Sequence, residues 1–127
     1  MQQSKLYEYA VIRVVPRVER EEFINAGIIV FCKKEKYLKC KYQLPEQKLL
    51  CLYGEADVDF IRQNLQSFEN IALGKGTDSL ISQLDLPERF RWLTATRSTV
   101  IQASKVHPGL CFNEEETLER LFSQYVD

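Results

Sequence analysis

The chain has 127 residues, of which 45% are apolar and 28% are charged, and this composition is typical of a globular domain and excludes an intrinsically disordered chain. Its length is too short for two full-sized domains, so we expect a single domain over residues 1–127. The net charge is −1, so overall charge leaves a nucleic-acid partner possible without indicating one, and it indicates no membrane surface.

Residues 7–44 predict a three-stranded antiparallel meander. Segments 7–15 and 23–32 are rich in β-branched and aromatic residues and are apolar on both faces, which is typical of central strands that are covered on two sides. Gly27 lies inside the second of these strands and indicates a bulge or the close approach of another backbone. Segment 36–44 alternates between apolar and polar residues, as an edge strand with one solvent-facing side does.

After residue 57 the apolar residues recur at spacings of three and four up to Ala72, which predicts a helix. Gly74 is placed to end this helix in a left-handed conformation. We expect a short helix or turn near residues 87–93, a further strand over residues 99–103 and a turn at Pro108-Gly109.

The last predicted element is a helix with a clear start signal. Asn113 is a favourable N-cap, and Glu116 follows it three residues later, as in a capping box. Taken together, the segments predict an α+β fold in which an antiparallel sheet of about four strands carries two or more helices packed on it.

Charge is distributed unevenly along the chain. Residues 1–54 carry a net charge of +4 and residues 55–127 a net charge of −5. The strongest local excess is five lysines against one glutamate within residues 33–41. We interpret this segment first as a charged turn and edge strand that resist pairing with other sheets. A basic patch for an anionic partner is the second interpretation, and the sequence does not decide between them.

The sequence shows no secretory or membrane-spanning segment. Its longest wholly apolar run is Gly27–Cys32, whereas a membrane-spanning helix needs about 20 residues. The N-terminal residues lack the apolar core of a signal peptide. We therefore expect a cytoplasmic protein whose cysteines remain reduced thiols.

Catalysis has little support in the sequence. His107 is the single histidine, so any mechanism that uses imidazole depends on it. Cys111 and Ser98 are the nucleophiles that a hydrolase would pair with it. Pro108-Gly109 lies between His107 and Cys111, so a helix cannot bring these two side chains together. A histidine beside a Pro-Gly turn is typically a hydrogen-bonding residue of that turn. We rank a hydrolase last and expect no cofactor.

The cysteines do not form a zinc motif. Between successive cysteines lie 7, 10 and 59 residues, so no pair has the spacing of adjacent zinc ligands. One possible zinc site remains, in which Cys32 and Cys40 face each other across the hairpin and His107 and Cys111 supply the other two ligands. We expect instead that the four cysteines are small buried side chains and that there is no metal site.

Arginines are the remaining candidates for a binding site. Arg13 lies in an otherwise apolar strand, where a charge must be paired or must line a pocket. We favour an ion pair with a glutamate of residues 19–22. The alternative is an anion-binding pocket built from arginine, hydroxyl and imidazole donors, namely Arg13, Arg17, Arg97, Ser98, Thr99 and His107.

Trp92 lies in a segment that also contains Arg89, Arg91 and Arg97. Tryptophan and arginine carry much of the binding energy of protein interfaces, so Trp92 and Arg91 are candidate interface residues. Trp92 is equally compatible with a place in the core.

Two blocks of the sequence, YEYAVIRVVPRVEREEFINAGIIVFC (7–32) and RFRWLTATRSTVIQASKVHPGLC (89–111), together with the last helix, resemble a bacterial family catalogued as domain of unknown function 3037. The chain departs from that family's pattern at Ala26, where a larger aliphatic residue is expected, and at Thr96, where a proline is expected. The resemblance implies no activity and no ligand residues. It does imply a context, because members are commonly encoded beside a HipA-like kinase.

Three functional hypotheses follow, in order. The first is a non-catalytic accessory or interaction module that binds or regulates a partner protein, for which the resemblance suggests a HipA-like kinase. The second is a domain that binds an anion, a phosphorylated ligand or a nucleic-acid end through the arginine, serine and histidine side chains. The third is a small hydrolase that uses Cys111 or Ser98 with His107.

Overall fold

The computed structural model describes residues 3–75 and 80–126, and within these residues the chain forms five β-strands and four α-helices. The strands are β1 Lys5–Val14, β2 Ile24–Cys32, β3 Tyr37–Tyr42, β4 Ile101–Ala103 and β5 His107–Cys111. The helices are α1 Glu46–Leu52, α2 Val58–Ala72, α3 Leu86–Thr94 and α4 Glu114–Tyr125. The fold is α+β, as the sequence predicted. In the described part of the chain, no helix has the length and apolar character needed to cross a bilayer.

All the strands described belong to one antiparallel sheet, in the order β3-β2-β1-β4, with β5 also paired to β1. The predicted meander is formed by β1, β2 and β3, and β3 is an edge strand as expected. On its other side β1 pairs with β4 at residues 12–14 and with β5 at residues 5–9. The centre of the sheet is therefore β1, which has three partner strands.

Helices cover both faces of the sheet, and β1 and β2 contribute side chains to both sides. On one face Ile12 and Ile29 lie in a core cluster with residues of α1, α2 and α3. On the other face Val11 and Ile28 lie in a second cluster with residues of α4. This two-sided burial explains why both strands lack a polar face, and it confirms the prediction made from their composition.

Gly27 shows both of the features that were expected of a glycine in this strand. The pairing of β1 with β2 shifts between Ile12, which is opposite Gly27, and Arg13, which is opposite Asn25, so β2 carries a bulge. A Cβ atom on Gly27 would lie 2.5 Å from the main-chain oxygen of Lys41 in β3. Only glycine allows this approach of the two backbones.

The turn predicted at Pro108-Gly109 is wrong, because both residues lie inside β5. The main-chain oxygen of Val11 accepts a hydrogen bond from Ser104 N at 2.9 Å, and Ser104 lies between β4 and β5. The odd-numbered residues of β1 therefore direct their main-chain N–H and C=O groups to the edge that β4 and β5 occupy. Pro108 is opposite Glu8, an even-numbered residue, so its missing N–H points to the free edge. Gly109 is opposite Tyr7, and a Cβ there would lie 2.6 Å from the tyrosine ring.

Side-chain caps begin three of the helices. Asp57 accepts a hydrogen bond from Phe60 N at 3.1 Å, and Asn113 accepts one from Glu116 N at 3.0 Å, as predicted for the N-cap of α4. Asp85 caps α3 in the same way, through Glu88 N. Gly74 has a φ of 72°, which confirms its predicted left-handed conformation after α2.

The sequence did not predict α1. This helix has seven residues, and Leu49 is its one fully buried side chain. A single buried residue leaves no recurring apolar spacing, so the pattern that identified α2 and α4 is missing here.

An ion pair between Lys5 of β1 and Glu114 ties the first turn of α4 to the sheet. Each of the two side chains is 14% exposed. Burial raises the pKa of Glu114, but the hydrogen bond and positive charge of Lys5 outweigh this and hold the pKa below its usual value. The pKa of Lys5 is raised, chiefly by its hydrogen bond to Glu114. The pair therefore stabilises the native state while both groups are charged.

We expect Gly27→Ala to lower the free energy of unfolding by about 1–3 kcal/mol, because the new methyl group would collide with the main chain of β3. Gly54→Ala is the matched control, since its Cβ would be 3.7 Å from the nearest atom. That variant should be neutral or more stable by about 0.4–1 kcal/mol. Urea unfolding measures both, and equal stabilities would show that Gly27 is not under steric constraint.

We expect Glu114→Gln to be less stable than the parent at pH 7 and to lose less stability on acidification. A carboxyl group with a depressed pKa stabilises the native state above its unfolded pKa of about 4.3, and this contribution disappears as the pH falls through the folded pKa. Urea midpoints between pH 7 and pH 3 measure the effect. Glu116→Gln, an exposed change in the same helical turn, should keep the parent pH dependence, and identical profiles for the two variants would contradict the prediction.

Candidate functional site

The structure does not bring Arg13 and Arg97 together. Arg13 alternates along β1 with Val11, so its side chain lies on the face of the sheet that α4 covers. Arg97 lies in the connection between α3 and β4, and its guanidinium stacks 3.7 Å from the ring centroid of Trp92. Trp92 packs against the cluster on the opposite face. Two separate environments therefore replace the single pocket of the sequence-based hypothesis.

Arg13 also lacks the ion pair that the sequence favoured. Its guanidinium lies 4.1 Å from the centroid of the Phe23 ring, and its Nε atom is buried without a hydrogen-bond partner in the described structure. Glu22, in the predicted partner segment, pairs with Arg20 at 2.6 Å instead. Among residues 3–75 and 80–126, Arg13 has no carboxylate partner. A 3₁₀ turn over Val18–Arg20 is followed by Glu21 in a left-handed conformation, and Arg20 and Glu22 pair across this residue.

A cavity of about 170 Å³ adjoins the stacked Trp92 and Arg97. Helix α2 contributes Asn64 and Ser67, and β4 contributes Gln102. Apolar side chains form much of the lining, namely Phe68, Ile71, Leu93, Ile101 and Ala103. Ala95 and Thr99, in the connection after α3, also line the cavity. The cavity thus has an apolar floor, a rim of neutral polar groups and one cation.

Hydrogen bonds within the protein already occupy several polar groups of the rim. Asn64 Nδ2 donates to Phe60 O at 2.8 Å, and Gln102 Nε2 donates to Thr99 O at 2.9 Å. The Thr99 hydroxyl donates to Ile101 O at 2.6 Å, so this hydroxyl has no hydrogen left to offer a ligand. Arg97 and Ser67 keep their side-chain donors free within the described residues, and Asn64 Nδ2 and Gln102 Nε2 each keep a second N–H.

Arg97 carries an unbalanced positive charge. In the described parts of the chain it forms no ion pair, and no acidic side chain lines the cavity. Burial lowers the pKa of Arg97, because the guanidinium has lost part of its hydration. A partly desolvated cation with no counter-ion favours an anionic ligand.

The sequence identified part of this cavity. Of the six predicted binding residues, Arg97 and Thr99 line it, and so does the predicted interface residue Trp92. The predicted interface residue Arg91 is exposed beside Trp92 without lining the cavity. Asn64, Ser67 and Gln102 were missed, since their approach to Arg97 depends on the packing of α2 and β4 and has no signal in the local sequence.

The other predicted binding residues lie elsewhere. Ser98 is exposed and does not line the cavity. The Arg17 guanidinium lies 4.8 Å from the centroid of the Tyr53 ring. Arg89 has a structural role, because it donates to Leu84 O at 2.6 Å and to Ala72 O at 3.5 Å, next to the end of α2.

His107 lies in β5 and is exposed, so the prediction that it is a turn residue is wrong. Its ring centroid is 5.4 Å from that of Tyr9. Cys111 is four residues away in the same strand, which separates the two Cα atoms by about 13 Å. This distance does not allow His107 to act as a base for Cys111.

Ser98 is also remote from His107. The residue two positions after it, Val100, accepts a hydrogen bond from Val15 N at 2.7 Å. His107 is opposite Tyr9, six residues back along β1, which corresponds to roughly 20 Å. The described structure therefore offers no nucleophile and base pair for the hydrolase hypothesis.

Tyr9 has a second aromatic partner that the sequence did not reveal. Its hydroxyl is 3.0 Å from that of Tyr125 in α4. This hydrogen bond and burial raise the pKa of Tyr9 to about 12. The hydrogen bond between the two phenols joins the end of α4 to β1.

The cysteines occupy separate environments. Cys32 lies in the cluster under α4 and Cys40 in the cluster on the opposite face, so they do not face each other across the hairpin. Cys111 is buried with Cys32, whereas Cys51 is exposed, contrary to the expectation that all four are buried. In the part of the chain that the structure describes, no group of three or more His, Cys, Asp or Glu side chains is placed to hold a metal ion.

The basic segment 33–41 divides into two parts. Lys39 and Lys41 of β3 pair with Glu115 and Glu119 of α4 and so belong to the fold. The remaining lysines are exposed in the turn before β3 and have no ion pair within the described residues, namely Lys33, Lys34 and Lys36. The position of β3 confirms that it is an edge strand, while the choice between resistance to pairing and a basic patch for an anionic partner stays a prediction.

Comparison with known proteins identifies a family. Residues 9–126 match the family described as protein of unknown function (DUF3037), so the chain belongs to that family. No curated protein and no solved structure was found to match the chain. The match covers the elements from β1 to α4, including all the residues that line the cavity.

We expect Arg97→Ala to lower the free energy of unfolding by about 0.5–1 kcal/mol, because the Trp92 ring loses the guanidinium stacked on it. Urea unfolding followed by circular dichroism measures the change. Arg91→Ala removes an exposed arginine from the same segment and should stay within about 0.5 kcal/mol of the parent. Equal losses in the two variants would show that the stacking contributes no stability.

Proposed function

We propose that the chain is a non-catalytic interaction module that binds and regulates a partner protein, and that Trp92, Arg97 and the adjoining cavity form its contact site. The observation that carries this proposal is the half-buried Trp92–Arg97 stack, in which the arginine has no counter-ion among the described residues. A partly desolvated cation beside an aromatic ring resembles the anchors of protein interfaces, which pair with complementary groups of the partner.

The size of the cavity supports a protein side chain as the ligand. Pockets for cofactors and drug-sized molecules typically measure about 300–1,000 Å³. The cavity beside Trp92 measures about 170 Å³, which suits one side chain better than a nucleotide. Arg91 precedes Trp92 in α3, is exposed and does not line the cavity, so we propose that it contacts the partner outside the cavity.

The partner is proposed on different grounds. The family resemblance implies a HipA-like kinase, and this is the first protein to test. A nucleic acid has less support, because binding along a phosphate backbone uses several cations and the cavity offers one. The proposal places the chain in the cytoplasm, where its four free cysteines would stay reduced.

A second candidate function is the binding of a small anionic ligand. The observation that favours it is the same unbalanced charge on Arg97, whose pKa is lowered by burial. A small free anion would need no contact with Arg91 or with the outer edge of Trp92. A ligand that binds at full strength after Arg91→Ala and in the absence of any protein partner would favour this function.

We expect Trp92→Ala to weaken the complex with the HipA-like kinase partner by about 30-fold, the loss of about 2 kcal/mol that is typical of an interface hot spot. Isothermal titration of the purified proteins measures the dissociation constant. Arg91→Ala should weaken the complex less, because Arg91 is exposed at the edge of the surface.

Phe112→Ala is the control for the loss of an aromatic side chain. Phe112 is 57% exposed and follows β5, at the end of β1 opposite to the Arg97 connection. This variant should bind like the parent. Unfolding measurements on each variant separate lost binding from lost folding. A folded Trp92→Ala variant that binds with unchanged affinity would refute the proposed contact site.

A further inference from the structure

Among the described residues, the lining of the cavity beside Trp92 has one cation, neutral hydrogen-bond donors and an apolar floor. From this combination we infer that it binds a single carboxylate, supplied by a glutamate or aspartate side chain of the partner. This inference rests on the proposed function in one respect, since the partner protein is the source of the carboxylate. It adds a definite ligand chemistry to that function.

Charge balance favours a carboxylate over a phosphate. A phosphate monoester carries a charge of about −1.5 to −2 at neutral pH, whereas a carboxylate carries one negative charge. Arg97 is the one charged side chain among the described residues that line the cavity. One carboxylate neutralises this guanidinium, while a phosphate would leave about 0.5 to 1 negative charge uncompensated in a partly buried site.

The orientation of Arg97 fits the same ligand. The Trp92 ring covers one face of the guanidinium at 3.7 Å, so a ligand approaches through the N–H groups at the guanidinium edge. Two of these N–H groups form a fork that matches the two oxygens of a carboxylate. The Ser67 hydroxyl is a further free donor, whereas the Thr99 hydroxyl already donates to Ile101 O.

The floor of the cavity fits the rest of an acidic side chain. Phe68, Leu93 and Ile101 present apolar surface beneath the polar rim. The methylene groups of a glutamate can contact this surface while the carboxylate reaches Arg97. A hydrated inorganic anion gains nothing from such a floor.

The chain provides its own reporter, because Trp92 is its one tryptophan. The probe is the blocked amino acid N-acetyl-glutamic acid amide, titrated at constant ionic strength while Trp92 fluorescence is recorded. We expect saturation with a dissociation constant on the order of 1 mM, which is typical of a ligand of this size. N-acetyl-glutamine amide has the same shape without the charge and should bind at least tenfold more weakly.

Variants test the assigned donors. Arg97→Gln should weaken binding of the glutamate probe at least tenfold, and Arg97→Lys should also weaken it, because a lysine lacks the forked geometry. Ser67→Ala should weaken it less, because Arg97 keeps the charge and the forked donors. Arg91→Gln is the matched control, since it removes a neighbouring positive charge that does not line the cavity, and it should retain parent affinity.

Several results would overturn the inference. If inorganic phosphate binds the cavity beside Trp92 more tightly than the glutamate probe does, the ligand is a phosphorylated group and the carboxylate inference is wrong. Equal binding of the glutamate and glutamine probes, or no binding of either, would exclude recognition of the carboxylate. Parent-like probe binding by a folded Arg97→Gln variant would exclude Arg97 as its receptor.

The two proposals can fail separately. If the partner binds and Arg97→Gln leaves that affinity unchanged, the interaction module stands and the carboxylate inference is wrong. If the glutamate probe binds through Arg97 but no complex with the partner forms, the cavity binds a free carboxylate. In that case the proposed function is wrong, and so is the inference that the partner supplies the carboxylate.

Discussion

The fold depends on the enclosure of β1, whose side chains are mostly buried or partly buried, with Leu6 as the exposed exception. This strand is buried on both faces by helices and hydrogen bonded along both edges by β2, β4 and β5. Ser104 fills the interval between the two shorter partners, because its hydroxyl accepts a hydrogen bond from Val11 N at 2.8 Å and its main-chain N–H donates to Val11 O. Each buried polar group of β1 needs such a partner, so the positions of the surrounding elements are tightly limited.

The candidate site is a consequence of this enclosure. Val15 N donates to Val100 O at 2.7 Å and thereby holds the connection after α3 against the end of β1. The same connection places Arg97 over Trp92, while β4 brings Gln102 to the cavity. The site lies between α2, α3, β4 and the connection that joins α3 to β4.

Elements with a local pattern could be predicted from the sequence, and elements that depend on distant contacts could not. The meander, α2 and α4 follow from alternation, apolar spacing and capping residues, whereas α1 has only Leu49 in the core. Pro108-Gly109 has the composition of a turn, and pairing with β1 overrides it. Arg97 could be predicted as a candidate because it is an arginine in a segment that contains the tryptophan. Asn64 and Ser67 could not, because they are ordinary polar residues of a helix surface and reach the cavity only through the packing of α2.

Arg13 and Arg97 carry the same charge in different surroundings. Arg13 and Arg97 both lack a carboxylate in the described structure, and each lies against an aromatic ring. The surroundings differ, because Arg13 meets Phe23 and its Nε is buried, while Arg97 lines a cavity that also has a free hydroxyl and apolar side chains. Desolvation of a charge without a counter-ion costs stability, and at both arginines the contact with an aromatic ring offsets part of this cost. The difference is that a ligand can reach Arg97 through the cavity, which is the basis of the proposed carboxylate site.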